Sequence, residues 1–176
     1  IVSGRHTETG DAFQVEYDKL LVASGASPFV PKWDGVDLVG VHSVKTIPDT
    51  KAIIADLDSG VNDVTIVGGG YISLEMAENF RLLGKKVRLL IRGRRIAKMF
   101  DPDMSKLVEE EAVKQGIDIL YEEEIEEIIG DDKIKSVRTN KQTYETDLLI
   151  VATGVRPNTQ FLHKTEVMME KTVQYR

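Results

Sequence analysis

Short apolar runs alternate with amphipathic stretches through the middle of the chain, which is the pattern of strands and helices in an α/β domain. The runs at 64–67, 87–91 and 117–121 are mostly apolar and rich in β-branched residues, so they predict strands. Apolar residues recur at helical spacing between them, which predicts helices beginning near Tyr71 and across 101–116. The predicted apolar faces are Ile72, Met76, Phe80 and Leu83 on the first helix, and Met104, Leu107, Val108 and Ala112 on the second.

The elements on either side extend this core. A further helix is predicted across 48–57, because proline suits a first helical turn and the stretch keeps one apolar side. Runs at 125–129, 134–139 and 142–145 alternate in character and predict an antiparallel three-strand meander. The apolar run at 147–154 predicts a central parallel strand. The predicted fold class is therefore α/β, a Rossmann-like parallel sheet with a three-strand antiparallel meander.

The first 40 or so residues hold too few apolar positions for a core of their own. A hairpin is predicted around the turn at 8–11, and the run at 20–23 predicts a buried strand. The stretch 28–40 has no clear period and predicts a surface loop or linker.

Three consecutive glycines, Gly68, Gly69 and Gly70, join the first of these parallel strands to the helix after it. Gly68 is expected to make the tight turn, and Gly70 to let the backbone approach a pyrophosphate at the helix N-terminus. Ser73 takes the third glycine position of the dinucleotide-binding pattern, and a small serine, which can bond back to a helix carbonyl, is expected to cost little there. A glycine-rich turn without a ligand is the alternative, but the strand, turn, helix and strand in sequence favour a dinucleotide. Gly69 and Ile72 complete this part of the candidate site.

Every charged residue between Arg81 and Lys98 is basic, although the chain as a whole is acidic. An acid about 20 residues after the glycines accepts the ribose hydroxyls of NAD, whereas arginine there suits a 2′-phosphate. Arg92 follows the second strand of this unit, with Arg94 and Lys98 close behind, so the segment predicts NADPH, with NADH as the alternative. A solvated basic loop is the competing interpretation. The acidic run at 122–127 is interpreted as a solvated edge that discourages strand aggregation.

Composition argues against several function classes. The net charge of −6 argues against nucleic acid as a partner, and no apolar run approaches membrane-spanning length. The chain has no cysteine, which excludes a thiol nucleophile within it and is compatible with a cytoplasmic location. The histidines His6, His42 and His163 have no second ligand at metal spacing, so no metal site is predicted. No catalytic residue is predicted within the chain.

Three segments carry a family resemblance: YDKLLVASGASP, TDLLIVATGVRPN and, between them, GGGYISLEMAE. The chain resembles the pyridine nucleotide-disulfide oxidoreductase family, flavoproteins whose FAD domain is interrupted by an inserted NAD(P) domain. Within that family, its sequence is most similar to those of coenzyme A disulfide reductases and NADH oxidases. The resemblance implies a partial FAD-domain segment of hairpin and linker at 1–43, an NAD(P)-binding domain at 44–153 and the start of the FAD-domain return at 154–176.

The family's FAD-binding glycine turn, redox-active cysteine and C-terminal dimerisation domain have no counterpart among these residues. We therefore expect a piece of a longer, homodimeric parent that binds FAD, and a chain that cannot complete a turnover by itself. The implied activity of the parent is hydride transfer from NADPH to flavin for reduction of a disulfide such as CoA disulfide. The alternatives are an NADH oxidase, a ferredoxin- or rubredoxin-type reductase, and a non-catalytic nucleotide-binding module.

The resemblance also implies roles for single residues. Tyr71 is similar to the family's lid over the flavin, and Glu75 to the carboxylate that contacts the carboxamide or a flavin-side lysine; ordinary packing is the alternative for Tyr71. Arg92 and Lys98, six positions apart, are similar to the basic pair of NADPH-using glutathione reductases. From the residues themselves, Thr153 and Gly154 close a central strand at the end where α/β sheets bind ligands, and a plain turn is the alternative for Gly154.

Overall fold

The structure is a computed structural model and describes residues 1–163 and residue 165. The strands are β1 (Val2–Arg5), β2 (Ala12–Val15), β3 (Ala26–Pro28), β4 (Val41–Ser43), β5 (Asp63–Val67), β6 (Lys86–Ile91), β7 (Ile117–Tyr121), β8 (Ile125–Gly130), β9 (Ile134–Thr139), β10 (Thr143–Glu145), β11 (Leu148–Val151) and β12 (Val155–Pro157). The helices are α1 (Ile47–Asp58), α2 (Tyr71–Leu82) and α3 (Pro102–Lys114), and a 3-10 turn follows at Gln160–Leu162.

A five-stranded parallel sheet in the order β4-β11-β5-β6-β7 forms the centre of the molecule. The strands β8, β9 and β10 form a separate antiparallel sheet, and β1 with β2 and β3 with β12 form two short two-stranded sheets. The predicted α/β fold with its meander is thus confirmed. Since β5, β6 and β11 are parallel neighbours, the turns after them lie at one edge of the sheet.

The parallel sheet is buried on both faces, which explains its uninterrupted apolar strands. Leu89 and Ile91 of β6 face a core built with the three helices, whereas Leu90 between them faces a second core built with the antiparallel sheet. The same alternation divides Leu148 and Ile150 of β11 from the residues next to them. The result is three layers, with helices on one side of the parallel sheet and the meander on the other.

The buried faces of α2 and α3 agree with the predicted ones only in part. On α2 the buried side chains are Ser73, Ala77 and Phe80, with Met76 packed against the same core, while Ile72 and Leu83 are exposed. On α3 Ala112 is buried and Val108 packs against the core as predicted, but Met104 and Leu107 are exposed. Small residues let a helix approach the sheet closely, so the stripe that packs is centred on alanine and serine and leaves part of the large apolar stripe outside.

The N-terminal hairpin is confirmed as β1 paired with β2, but the predicted buried strand at 20–23 is wrong. Leu21 is 88% exposed, and its neighbours Leu20 and Val22 are exposed too. No strand among the described residues pairs with this run. Without backbone partners or a covering layer, an apolar sequence alone does not make a buried strand.

The ends of the segments YDKLLVASGASP and TDLLIVATGVRPN lie side by side. β3 pairs antiparallel with β12, and the amide of Asn158 bridges back to the first segment. Its Oδ1 accepts from the Ser27 hydroxyl at 2.8 Å, and its Nδ2 donates to the Ser24 carbonyl at 3.0 Å. The chain therefore leaves and re-enters the central unit at neighbouring points.

The predicted domain boundaries at residues 43/44 and 153/154 stay predictions. β4 pairs with β11 at the edge of the parallel sheet, and the loop before it packs Trp33 and Leu38 against the meander. Of the predicted last segment, residues 164 and 166–176 lie outside the described residues. None of the described helices combines the length and apolar character needed to cross a membrane.

Asp147 ties the start of β11 to β5 and gives the fold a pH-dependent contact. One oxygen of its carboxylate accepts from the backbone N–H groups of Asn62 and Asp63, each at 2.9 Å. Burial raises the pKa of this carboxyl, but the two N–H donors together with the positive charges of Lys133 and Lys86 outweigh burial, so that the pKa lies below its usual value. The stabilisation is therefore complete above the unfolded-state pKa, about 4, and is lost as pH falls through the lower folded-state pKa.

We expect Asp147→Asn to lower the free energy of unfolding by about 1–2 kcal/mol at pH 7, because the two donors lose a charged acceptor. Urea unfolding from pH 7 down to acid should show the gap between variant and parent closing below about pH 4. Asp58→Asn, on an exposed residue at the end of α1, is the control. A gap that stayed constant over this range would exclude the ionised carboxylate as its source.

Candidate dinucleotide site

The glycine turn after β5 is held against the ends of two neighbouring strands. Gly68 has φ +122°, and a Cβ on it would lie 2.3 Å from the carbonyl oxygen of Ala152, just after β11. Its N–H donates to the carbonyl of Leu90 in β6 at 3.1 Å. Only glycine fits this position, both for its backbone angle and for its distance from β11.

Gly70 differs from Gly68 because its missing side chain faces open space. It is the N-cap of α2 in an extended conformation and makes no side-chain cap. The first N–H groups of an α-helix have no acceptor within the helix, and they carry the positive end of its dipole. The open approach at Gly70 therefore fits a pyrophosphate.

Ser73 lies beneath this turn and is fully buried. Its hydroxyl has no hydrogen-bond partner among the described residues, so it does not bond back to a helix carbonyl. A Cβ on Gly68 would lie 2.9 Å from the Ser73 Oγ. The small side chain serves close packing, and its unpaired Oγ is consistent with a polar ligand at the turn.

The basic loop after β6 is fastened directly to the glycine turn. Ala97 donates its N–H to the carbonyl of Gly69 at 2.7 Å, and it adopts φ +49°, unusual for alanine. The buried hydroxyl of Ser105 on α3 donates to the Ala97 carbonyl at 2.9 Å. Ile96 and Ala97 are completely buried. This anchor, which the sequence did not reveal, fixes the loop beside the proposed phosphate position.

The charged side chains of this loop point outward. Arg92 and Arg94 have side chains 84% and 85% exposed, and Lys98 is exposed with its ammonium group over Gly93. The cations predicted to recognise a 2′-phosphate thus share one accessible edge, and each remains a prediction as a ligand.

The acidic run at 122–127 lies beside this loop, and it is not wholly solvated. Its interpretation as a solvated edge is therefore wrong in part. Glu123 is buried, with its carboxylate accepting from the hydroxyls of Thr139 and Tyr144, the latter at 2.9 Å. Glu122 and Glu124 face the arginines instead. The hydrogen bond from Arg94 holds the pKa of the Glu122 carboxyl below its usual value, and the same contact raises the pKa of Arg94.

Tyr71, Ile72 and Glu75 lie on the first turns of α2 and are all exposed. The ring of Tyr71 meets that of Phe100 edge-on, with centroids 5.9 Å apart. Phe100 comes shortly after the basic loop in the sequence. Its contact with Tyr71 was not predictable from the sequence. Exposure leaves Tyr71 and Glu75 available for the proposed contacts with nicotinamide, and a role for Ile72 in binding the nucleotide stays a prediction.

Thr153 and Gly154 lie at the same edge of the sheet, where β11 ends. The Thr153 hydroxyl donates to the carbonyl of Phe29 at 2.5 Å, and the carbonyl of Gly154 accepts from the Phe29 N–H at 2.8 Å. Gly154 has φ +123°, so glycine is required by the turn itself. These contacts support a junction role, and nucleotide contact by either residue stays a prediction. No group of three metal-ligating side chains occurs in the described part of the chain.

The model of the pyridine nucleotide-disulphide oxidoreductase family matches residues 1–175. The chain belongs to this family. A relative from Pyrococcus abyssi, an NAD(P)H sulfur oxidoreductase (CoA-dependent), is 42% identical over 159 residues. The match covers 89% of this chain and 35% of the relative, so the chain spans about a third of that protein.

Solved structures of family members agree with this assignment. An NAD-dependent persulfide reductase from A. fulgidus has a TM-score of 0.81 at 30% identity, over 89% of this chain and 30% of that one. A water-forming NADH oxidase from Lactobacillus brevis bound to NADH, and its engineered NADPH oxidase variant bound to NADPH, each have a TM-score of 0.79 at 31% identity. Each of these two matches covers 91% of this chain and 36% of the other.

Proposed function

We propose that the chain is the NAD(P)H-binding domain of an FAD-dependent pyridine nucleotide-disulfide oxidoreductase and that it prefers NADPH. The parent would reduce a disulfide such as CoA disulfide, and the relative from Pyrococcus abyssi, a CoA-dependent sulfur oxidoreductase by name, supports an acceptor with sulfur chemistry. The nicotinamide nucleotide supplies the hydride when it is bound, and the flavin lies in the rest of the parent. A cytoplasmic location and a homodimeric parent belong to the same proposal.

The anchor between Ala97 and Gly69 carries the proposal. It holds the basic loop against the turn whose open side fits a pyrophosphate. A nucleotide bound through that turn would extend its adenosine end along the edge where β6 stops, because this is the neighbouring strand. Arg92, Arg94 and Lys98 are then the cations available to a 2′-phosphate.

The engineered NADPH oxidase supports the choice of nucleotide. Its substitutions remove an aspartate and introduce two arginines six positions apart, and that protein is bound to NADPH. This chain has Arg92 and Lys98 at the same spacing and no acid between Arg81 and Lys98. The likeness is one of chemistry and spacing, and it favours a 2′-phosphate over a free ribose hydroxyl.

The test is to titrate the purified chain with NADPH and NADH, following the fluorescence of the nucleotide. We expect NADPH to bind about 100-fold more tightly, since charge-assisted contacts are worth roughly 1.5–3 kcal/mol each and these are solvent-exposed. Competition by adenosine 2′,5′-bisphosphate against 5′-AMP isolates the contribution of the phosphate. Equal or tighter binding of NADH would remove the proposed preference.

The nicotinamide end is assigned to Tyr71 and Glu75, on the exposed side of α2. In the complete flavoprotein, unchanged hydride-transfer rates in Tyr71→Phe or Glu75→Ala would remove these roles.

An NADH oxidase is the second candidate, favoured by the structural likeness to the Lactobacillus brevis enzyme. It differs from the first in electron acceptor, so the complete parent assayed with oxygen and with CoA disulfide distinguishes the two. A ferredoxin- or rubredoxin-type reductase would show neither activity without its carrier. A non-catalytic module would be favoured if the parent were purified without flavin.

A further inference from the structure

Two arginines of the basic loop, Arg92 and Arg94, already form ion pairs with glutamates. Glu122 accepts from the Nε of Arg94 at 2.6 Å, and the carboxylate of Glu124 lies 3.9 Å from the Nε of Arg92. Both glutamates belong to the turn after β7, the strand next to β6 in the sheet. The position of the pair follows from sheet topology rather than from closeness in sequence.

The turn carrying these carboxylates is fixed by its backbone. Glu122 has φ +57°, and its N–H donates to the carbonyl of Gly93 at 3.1 Å. The side chain of Asn140, after β9, donates to the Glu122 carbonyl at 3.2 Å and accepts from the Glu124 N–H at 2.9 Å. Both ends of the turn are therefore tied, which keeps the carboxylates beside the arginines.

A 2′-phosphate carries close to two negative charges at neutral pH. If it binds Arg92 and Arg94, it either displaces the carboxylates of Glu122 and Glu124 or lies beside them and is repelled. The ion pairs are exposed and hence weak, so phosphate can displace them, but at a loss of affinity. A nucleotide with a free 2′-hydroxyl suffers no such loss.

We propose that Glu122 and Glu124 are specificity-determining residues that lower the preference for 2′-phosphorylated nucleotides set by the basic loop. The inference rests on the proposed function, because it concerns nucleotide binding at the same site. The two carboxylates make NADPH bind less tightly than it would to the arginines alone. They therefore reduce the difference in affinity between NADPH and NADH.

The test compares the double variant E122Q/E124Q with the parent chain by titrating NADPH and NADH separately. Glutamine keeps the shape and a carbonyl acceptor but removes the charge. We expect the ratio of NADPH to NADH affinity to rise about two- to fivefold for each carboxylate removed, the range that exposed ion pairs contribute. The matched control is E126Q/E127Q, from the same acidic run, whose carboxylates pair with Arg138 on β9.

Different results distinguish failure of this inference from failure of the proposed function on which it rests. A ratio unchanged in E122Q/E124Q, with NADPH still bound, would overturn the inference and leave the proposed function standing. An equal rise for both nucleotides, or a rise of the same size in the control, would also overturn it. Failure of the unsubstituted chain, residues 1–176, to bind either nucleotide would overturn the proposed function itself. E122Q alone, which alters the shorter contact, provides the same comparison should the double variant fail to fold.

Discussion

Gly68→Ala should lower the free energy of unfolding of this chain by about 3 kcal/mol or more. Two costs add at this position, each on the order of 1–3 kcal/mol: strain at φ +122°, and overlap of the new methyl group with packed atoms. The methyl carbon would lie 2.3 Å from the Ala152 carbonyl oxygen and 2.9 Å from the Ser73 hydroxyl. Neither neighbour can withdraw, because Ala152 directly follows the central strand β11 and Ser73 is a fully buried residue of α2. Urea unfolding monitored by circular dichroism measures the loss.

Gly70→Ala is the matched comparison, two positions along the same turn. Its added methyl group would enter open space from an extended backbone, so we expect stability within about 1 kcal/mol of the parent. Nucleotide affinity should nevertheless fall about tenfold or more, because the methyl group stands where the pyrophosphate would approach. If Gly68→Ala kept the parent's stability, the turn would not be held against β11 as described. If Gly70→Ala bound nucleotide unchanged, the pyrophosphate would lie elsewhere.

The sequence was sufficient for the order and type of the central elements because their signals are local. An apolar strand, three glycines and a helical repeat each depend on neighbouring residues only, and β5, Gly68 and α2 follow as predicted. Burial is less local. Leu21 belongs to an apolar run yet is exposed, since the described chain offers no partner strand. On α2 the helical period was right, but the face that packs is set by Ala77, which lets the helix approach the sheet.

The candidate residues could be proposed from the sequence, and their roles stay predictions, whereas the contacts that join them could not be foreseen. Glycines and basic residues at the right spacing point to Gly70 and Arg92 without any structure. The hydrogen bond from Ala97 to Gly69 was not predictable, because it depends on how the loop after β6 returns over the turn. Nor was the pairing of Arg94 with Glu122, which requires β7 to lie beside β6. Contacts between elements far apart in sequence leave no periodic signal.

The double variant R92A/K98A should remove most of the preference for NADPH, although Arg94 stays in place. We expect NADPH affinity to fall roughly 10- to 100-fold, since two charge-assisted contacts to phosphate are lost at an exposed edge. NADH affinity should change by no more than a few fold, because its ribose carries no phosphate. Titration of both nucleotides against parent and variant gives the ratio directly.

Loss of two positive charges would slightly weaken the binding of any anion, so the comparison needs a variant with the same change in net charge. K106A/K114A provides it, because both lysines are exposed on α3, where they pair with glutamates of their own helix. A loss of NADPH affinity of similar size in both variants would reduce the effect to general electrostatics. A loss confined to R92A/K98A and absent for NADH requires a local phosphate contact, since only a group on the 2′ position distinguishes the two nucleotides.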